Sequence, residues 1–152
     1  MPLTLTPRLI EQFVEALPHA QALGMQVVSV DLENFRCAIS TPWRDELVGD
    51  PDTGVIHGGV ITALLDTLGA ACAITRNIRP QATLDLRIDY LRPAKPGLAL
   101  IGEAECHRVT RHVAFVRGVC HQGDPARAVA NLTATFILRE PKPKPDATGA
   151  ES

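Results

Sequence analysis

No block of basic residues occurs anywhere in this sequence, and its formal net charge is -2 at pH 7. Without such a block there is little to neutralise a polyanion, which argues against nucleic acid or anionic membrane as the main partner. No segment approaches the length and apolarity of a membrane span, and residues 1–8 lack the apolar core of a secretory signal. The expectation is a cytoplasmic protein with no membrane partner. Cysteine is sparse: Cys37, Cys72, Cys106 and Cys120 stand apart, with no Cys-x-x-Cys pair. Thiols scattered in apolar segments read as small core residues in a reducing compartment. Internal repeats are absent too. The 152 residues suit one domain, expected over residues 1–140, long enough to form its core without disulfides or metal.

What is present is organised around His57–Arg76. At 100° per residue, Val60, Ile61, Leu64 and Leu68 gather on one side of a helix, with Gly58, Gly59, Thr62, Asp66, Gly69 and Ala73 as a small stripe on the other. So apolar a helix is expected to be buried on most sides. Asp66 is then the anomaly, because a buried carboxylate costs several kcal/mol unless it is paired, hydrogen-bonded or functional.

Taken in order, Thr6-Pro7 opens an amphipathic helix carrying Leu9, Ile10, Phe13, Val14 and Leu17, which Pro18 ends. A helical turn closes at Gly24. Residues 26–33 and 35–41 read as strands with a hairpin turn at Asn34, and residues 42–56 as a loop that Trp43 must anchor. After the long helix, Ala82, Leu84, Leu86, Ile88 and Tyr90 alternate with Thr83, Asp85, Arg87 and Asp89. Residues 98–109 and 113–121 suggest a hairpin. Residues 126–138 form a last strand, with Asn131, Thr133 and Thr135 on one face. The composition from Pro141 onward is expected to give a disordered tail over residues 141–152. Helices on one face of an antiparallel sheet make this an α+β pattern.

His57-Gly58-Gly59, Asp66 nine positions after the histidine, Thr83-Leu84-Asp85, and Tyr90-Leu91-Arg92-Pro93-Ala94-Lys95-Pro96-Gly97 together resemble the PaaI-like (phenylacetate-pathway) group of hotdog-fold acyl-CoA thioesterases. The likeness extends from about residue 24 to residue 138. It implies an antiparallel sheet wrapped around a long central helix, here with an additional N-terminal helix, and hydrolysis of acyl-CoA to free acid and CoA without a cofactor. It also implies a catalytic role for Asp66, an oxyanion role for Gly58, and a hydroxyl at Thr83 that positions water or the carboxylate. Many members carry Asn or Gln six residues before the histidine to bind the thioester carbonyl. Here that position is Pro51, flanked by Asp50 and Asp52.

The chemistry is consistent with those roles. Gly58 and Gly59 at a helix start leave backbone N–H groups uncovered, and the helix dipole adds positive charge. Such donors stabilise the oxyanion of a tetrahedral intermediate. Asp66 supplies a base for water, or a nucleophile. Gly58 and Asp66 lie about 12 Å apart along one helix, too far to share a carbonyl. Two antiparallel helices across a twofold axis would bring the Gly58 end of one to the Asp66 of the other, so a homodimer with two equivalent sites is expected. The resemblance implies the same dimer, often doubled to a homotetramer.

His57 reads as a capping or loop-fixing residue, since it projects opposite to Asp66. With Gly59, it belongs to the expected substrate-binding end. Arg92, Lys95, Arg108 and Arg111 are candidate contacts for coenzyme A phosphates. The structural alternative for Asp66 is a carboxylate bonding a helix terminus or a threonine. A metal site at Cys106-His107 and Cys120-His121 is not expected, because a hairpin turning at Thr110-Arg111 would set Cys106 near Phe115 and Cys120 near Ile101. Two other functions suit such a fold. An enoyl-CoA hydratase of this fold would need a histidine soon after Asp66, and a silent acyl-CoA binding module would be expected to carry a neutral residue in its place.

Overall fold

The computed structural model describes residues 4–139. The expected tail over residues 141–152 lies outside them. Helix α1 (Pro7–Glu15) starts at Thr6, whose extended backbone delivers Pro7 to the first turn although the threonine side chain makes no cap bond. Its Ile10 and Val14 are buried, while Arg8 pairs with Glu11 and Glu15 on the open side. Short α2 (Pro18–Ala22) follows, with Gly24 turning the chain at positive φ.

Strands β1 (Gln26–Asp31) and β2 (Arg36–Thr41) form a hairpin. The Asp31 carboxylate shapes its turn by accepting from the Glu33 and Asn34 amides and from Asn34 Nδ2, so both strands are shorter than their alternation suggests. The following loop is more ordered than expected. A 3-10 turn over Asp45–Leu47 leads into a small ribbon of β3 (Val48–Asp50) and β4 (Val55–Ile56). Trp43 Nε1 donates to the Gly54 carbonyl at 3.0 Å, the anchoring expected of that side chain. Gly49 is required there, since a Cβ would stand 2.7 Å from His57 Cα.

Helix α3 (Gly58–Ile74) packs on one face of a six-stranded antiparallel sheet ordered β1-β2-β6-β7-β8-β5. Its remaining strands are β5 (Pro80–Tyr90), β6 (Leu100–Val109), β7 (Val113–His121) and β8 (Ala130–Leu138). Leu64, Leu65, Leu68 and Cys72 of α3 are fully buried, against an inner sheet face that includes Ile39, Leu100, Val116 and Phe136. Strand β8 alternates as expected, with Leu132, Ala134 and Phe136 inward and Asn131 and Thr133 outward.

Two expectations about faces are corrected. The small stripe of α3 is not uniformly open, for Gly69 and Ala73 are buried. A Cβ on Gly69 would lie 2.7 Å from Phe136 Cζ, so that glycine makes room for a core ring. The partly open face instead carries Gly59, Thr62, Ala63, Asp66, Thr67, Ala70 and Ile74. The second correction concerns β5, whose register with β8 shifts between Thr83 and Asp85. Leu84 is the extra residue of this bulge. Thr83 therefore sits opposite inward-facing Phe136, on the same side as Leu86, although simple alternation sets it on the other.

The β6–β7 register also contains a shift, between Cys106 and Arg108. Cys106 faces Val116 and Cys120 faces Gly102, each one residue from its expected partner. Among the described residues no three potential ligands gather to hold a metal ion.

Candidate active site

The N-terminus of α3 is fixed by His57, which occupies the cap position and accepts the Gly59 N–H on Nδ1 at 2.8 Å. The His57 carbonyl takes the Val60 N–H, and the His57 N–H bonds the Leu47 carbonyl. The capping expected of His57 is present, but it changes the count of free donors. Gly59 is spent on the histidine. Among the described residues nothing accepts the Gly58 N–H, so one helix-start amide remains instead of two.

Tyr90 closes the same end of the helix. Its hydroxyl donates to the Gly58 carbonyl at 2.9 Å and lies 2.6 Å from Thr62 Oγ1, which itself reaches that carbonyl at 3.2 Å. The ring stands beside Gly58, where a Cβ would be 3.4 Å from Cε1. Alternation along β5 places Tyr90 only on a strand. Its signal lay in the Tyr-Leu-Arg-Pro strand end, which says nothing of a partner thirty-two residues earlier.

Two turns along α3, Asp66 is half-buried and accepts a hydrogen bond from Thr83 Oγ1 at 2.7 Å. This joins two of the three residues that the resemblance singles out, and the bulge at Leu84 is what aims Thr83 inward. The four thiols are silenced by burial. It pushes the Cys37 and Cys120 thiols up to about 12 and raises Cys72 and Cys106 as well, so they stay protonated near neutral pH.

The Asp50 carboxylate turns back on its own loop, accepting from Thr53 Oγ1 at 2.7 Å and from the Asp52 amide at 3.1 Å. These bonds hold it below the usual carboxylate range. Pro51 offers no N–H at the position where the resemblance implies an amide side chain.

The cations divide into two groups. Arg92 and Lys95 are exposed on the turn after Tyr90, which Gln122 pins by accepting from the Lys95 amide and donating to the Lys95 and Leu98 carbonyls. Pro96 of this turn touches Gly54, so both cations stand at the Gly58 end of the helix. Arg111 lies beyond the far end of β6, about 30 Å away at the rise of a strand, and does not join them within one protomer. Arg108 is turned toward the Phe115 ring.

The model of the thioesterase superfamily matches residues 53–129, about half of the chain and the span that holds Gly58, Asp66 and Thr83. The chain belongs to the thioesterase superfamily. This thioesterase is 29% identical over 143 residues to the medium/long-chain acyl-CoA thioesterase YigI of Escherichia coli, covering 84% of this chain and 90% of YigI. A phenylacetic acid degradation-related protein from Ralstonia eutropha is 30% identical with a TM-score of 0.69, over 84% of this chain and 98% of that one. The phenylacetic acid degradation protein PaaI from Thermus thermophilus, solved as a point mutant, is 26% identical with a TM-score of 0.69, over 80% of this chain and 98% of that one. The expected PaaI-like hotdog thioesterase is thus the family found, and the protein is a thioester hydrolase.

Proposed function

We propose that this thioesterase hydrolyses acyl-CoA at a site made by two protomers, with Asp66 of one and the Gly58 amide of the other. The observation that carries the reading is the pairing of Asp66 with Thr83 midway along an otherwise apolar helix, while an uncommitted amide waits at its N-terminus. About 12 Å of helix separates the two, so one protomer cannot apply both to one carbonyl. The open helix face, which carries Asp66, and the β5 edge, with Leu84, Tyr90 and Leu91 exposed, both suit a second copy. Two such dimers would make the tetramer that the family resemblance implies.

Asp66 works as base or as nucleophile. As base, its carboxylate takes a proton from water while the water oxygen bonds the thioester carbonyl carbon. The oxygen that becomes negative receives the partner's Gly58 N–H and the helix dipole. Collapse of the intermediate breaks the C–S bond, and the departing thiolate takes the proton held by Asp66. As nucleophile, Asp66 attacks the carbonyl carbon directly, CoA leaves, and water cleaves the resulting anhydride. Thr83 positions the carboxylate in either route. Arg92 and Lys95, at the Gly58 end, meet the CoA phosphates. The name of YigI supports a medium- or long-chain acyl group.

The test is CoA release from a panel of acyl-CoAs. Asp66→Asn is expected to lower kcat about 10³-fold, the scale of general base catalysis, while remaining folded. Mixing Asp66→Asn protomers with Gly58→Val protomers should restore activity, since one site in each mixed dimer then keeps both groups. No restoration in verified mixed dimers would place both groups in the same protomer and overturn the shared site.

A further inference from the structure

A groove of about 920 Å³ opens where α1, the end of α3 and the start of β5 meet. Leu5, Leu9, Phe13, Ile74 and Ile78 give it apolar walls. Arg79 and Arg139 also line it, and cationic side chains extend such walls with their methylene stems while their charges stay in water. We infer that this groove receives the distal part of a straight fatty acyl tail whose thioester lies at Asp66, which makes α1 the element that sets chain-length preference. The inference rests on the thioesterase reading of Asp66.

Two connections lead from the carboxylate to the groove. On α3, the partly open face runs from Asp66 through Thr67 and Ala70 to Ile74, a wall of the groove. On β5, Thr83 touches Asp66 while Pro80 and Gln81, at the start of the same strand, line the groove. Helix and strand thus flank one path. The opposite direction along α3 ends at the helix start, which His57 and Tyr90 close.

The path has a length. Asp66 and Ile74 are eight residues apart, about 12 Å along the helix. An extended chain advances about 3.5 Å for every three bonds, so about ten bonds bring a tail to the groove mouth. Shorter acyl groups end along α3 and gain nothing from α1. Longer ones bury methylenes in the groove, each worth about fourfold in binding.

Straight-chain acyl-CoAs from butanoyl to hexadecanoyl provide the test. For Ile78→Trp, which fills the groove, and Leu9→Asp, which charges its wall, the ratio of kcat/KM for hexadecanoyl-CoA to that for hexanoyl-CoA should fall at least tenfold. Phe13→Ala, which widens the groove, should move the best substrate to longer chains. Direct binding to Asp66→Asn provides a second readout, in which added Ile78→Trp should weaken hexadecanoyl-CoA at least tenfold more than butanoyl-CoA. Equal losses at every chain length, no loss, or a change of oligomeric state without a change of preference would overturn the inference. A wild type that hydrolyses none of the series, yet binds long chains in the groove, would overturn the thioesterase reading while leaving the groove's occupant in place.

Discussion

Replacing Thr83 by valine removes one hydroxyl and keeps the shape of the side chain. The lost contact is a 2.7 Å O–H···O bond to the Asp66 carboxylate. Hydrogen bonds to charged groups contribute about 1.5–3 kcal/mol when water cannot replace them. Here Thr83 is exposed and Asp66 only half-buried, so water takes over part of that role. About 1 kcal/mol of positioning remains, which corresponds to about a fivefold fall in kcat. KM should hardly move, because the hydroxyl orients the reacting carboxylate and not the acyl chain or the nucleotide. Thr83→Ser keeps the donor and should retain kcat within about twofold. Steady-state hydrolysis of dodecanoyl-CoA measures both variants, and urea unfolding should find them within about 0.5 kcal/mol of wild type, as for an exposed site. An unchanged kcat in Thr83→Val, or an equal fall in Thr83→Ser, would refute the reasoning.

Gly69→Ala sets two effects against each other. Helix propensity favours alanine by about 1 kcal/mol, but the new methyl would stand 2.7 Å from the end of the Phe136 ring, and overpacking a buried site costs about 1–3 kcal/mol. A lower urea midpoint is expected, partly recovered by Phe136→Leu; a higher midpoint would show that the core yields. Acid should loosen two turns. The Asp31 carboxyl is held below its ordinary range by the Asn34 side chain and amide, and Asp50 by the Thr53 hydroxyl and Asp52 amide. A lowered folded-state value contributes stability that is complete above about pH 3.9 and lost as pH falls through the lower folded value. Asp31→Asn and Asp50→Asn should therefore flatten the fall of the urea midpoint below roughly pH 4, and an unaltered slope would count against these turns.

Residues close in sequence determined much of this protein. The 3.6-residue pattern of residues 58–74 is enough to identify a buried helix, and Asp66 stands out within it because a carboxylate there lacks a local reason. Period-two patterning locates most strands, and the glycines before Val60 mark a helix start with few side chains to obstruct its amides. Tertiary structure decided which of these groups meet. Alternation along β5 turns Thr83 away from the helix until its pairing with β8 inserts Leu84 as an extra residue, a matter of two strands far apart in sequence. The open face of α3 depends on what packs against it, so Phe136 takes the space beside Gly69 while Asp66 stays half-buried on the partly open side. The Gly59 amide is consumed by a histidine rotamer that no spacing specifies, and Tyr90 reaches Gly58 only after the sheet has formed. Local periodicity encodes which elements form and which faces are apolar. Register and packing against distant strands set where each polar atom points.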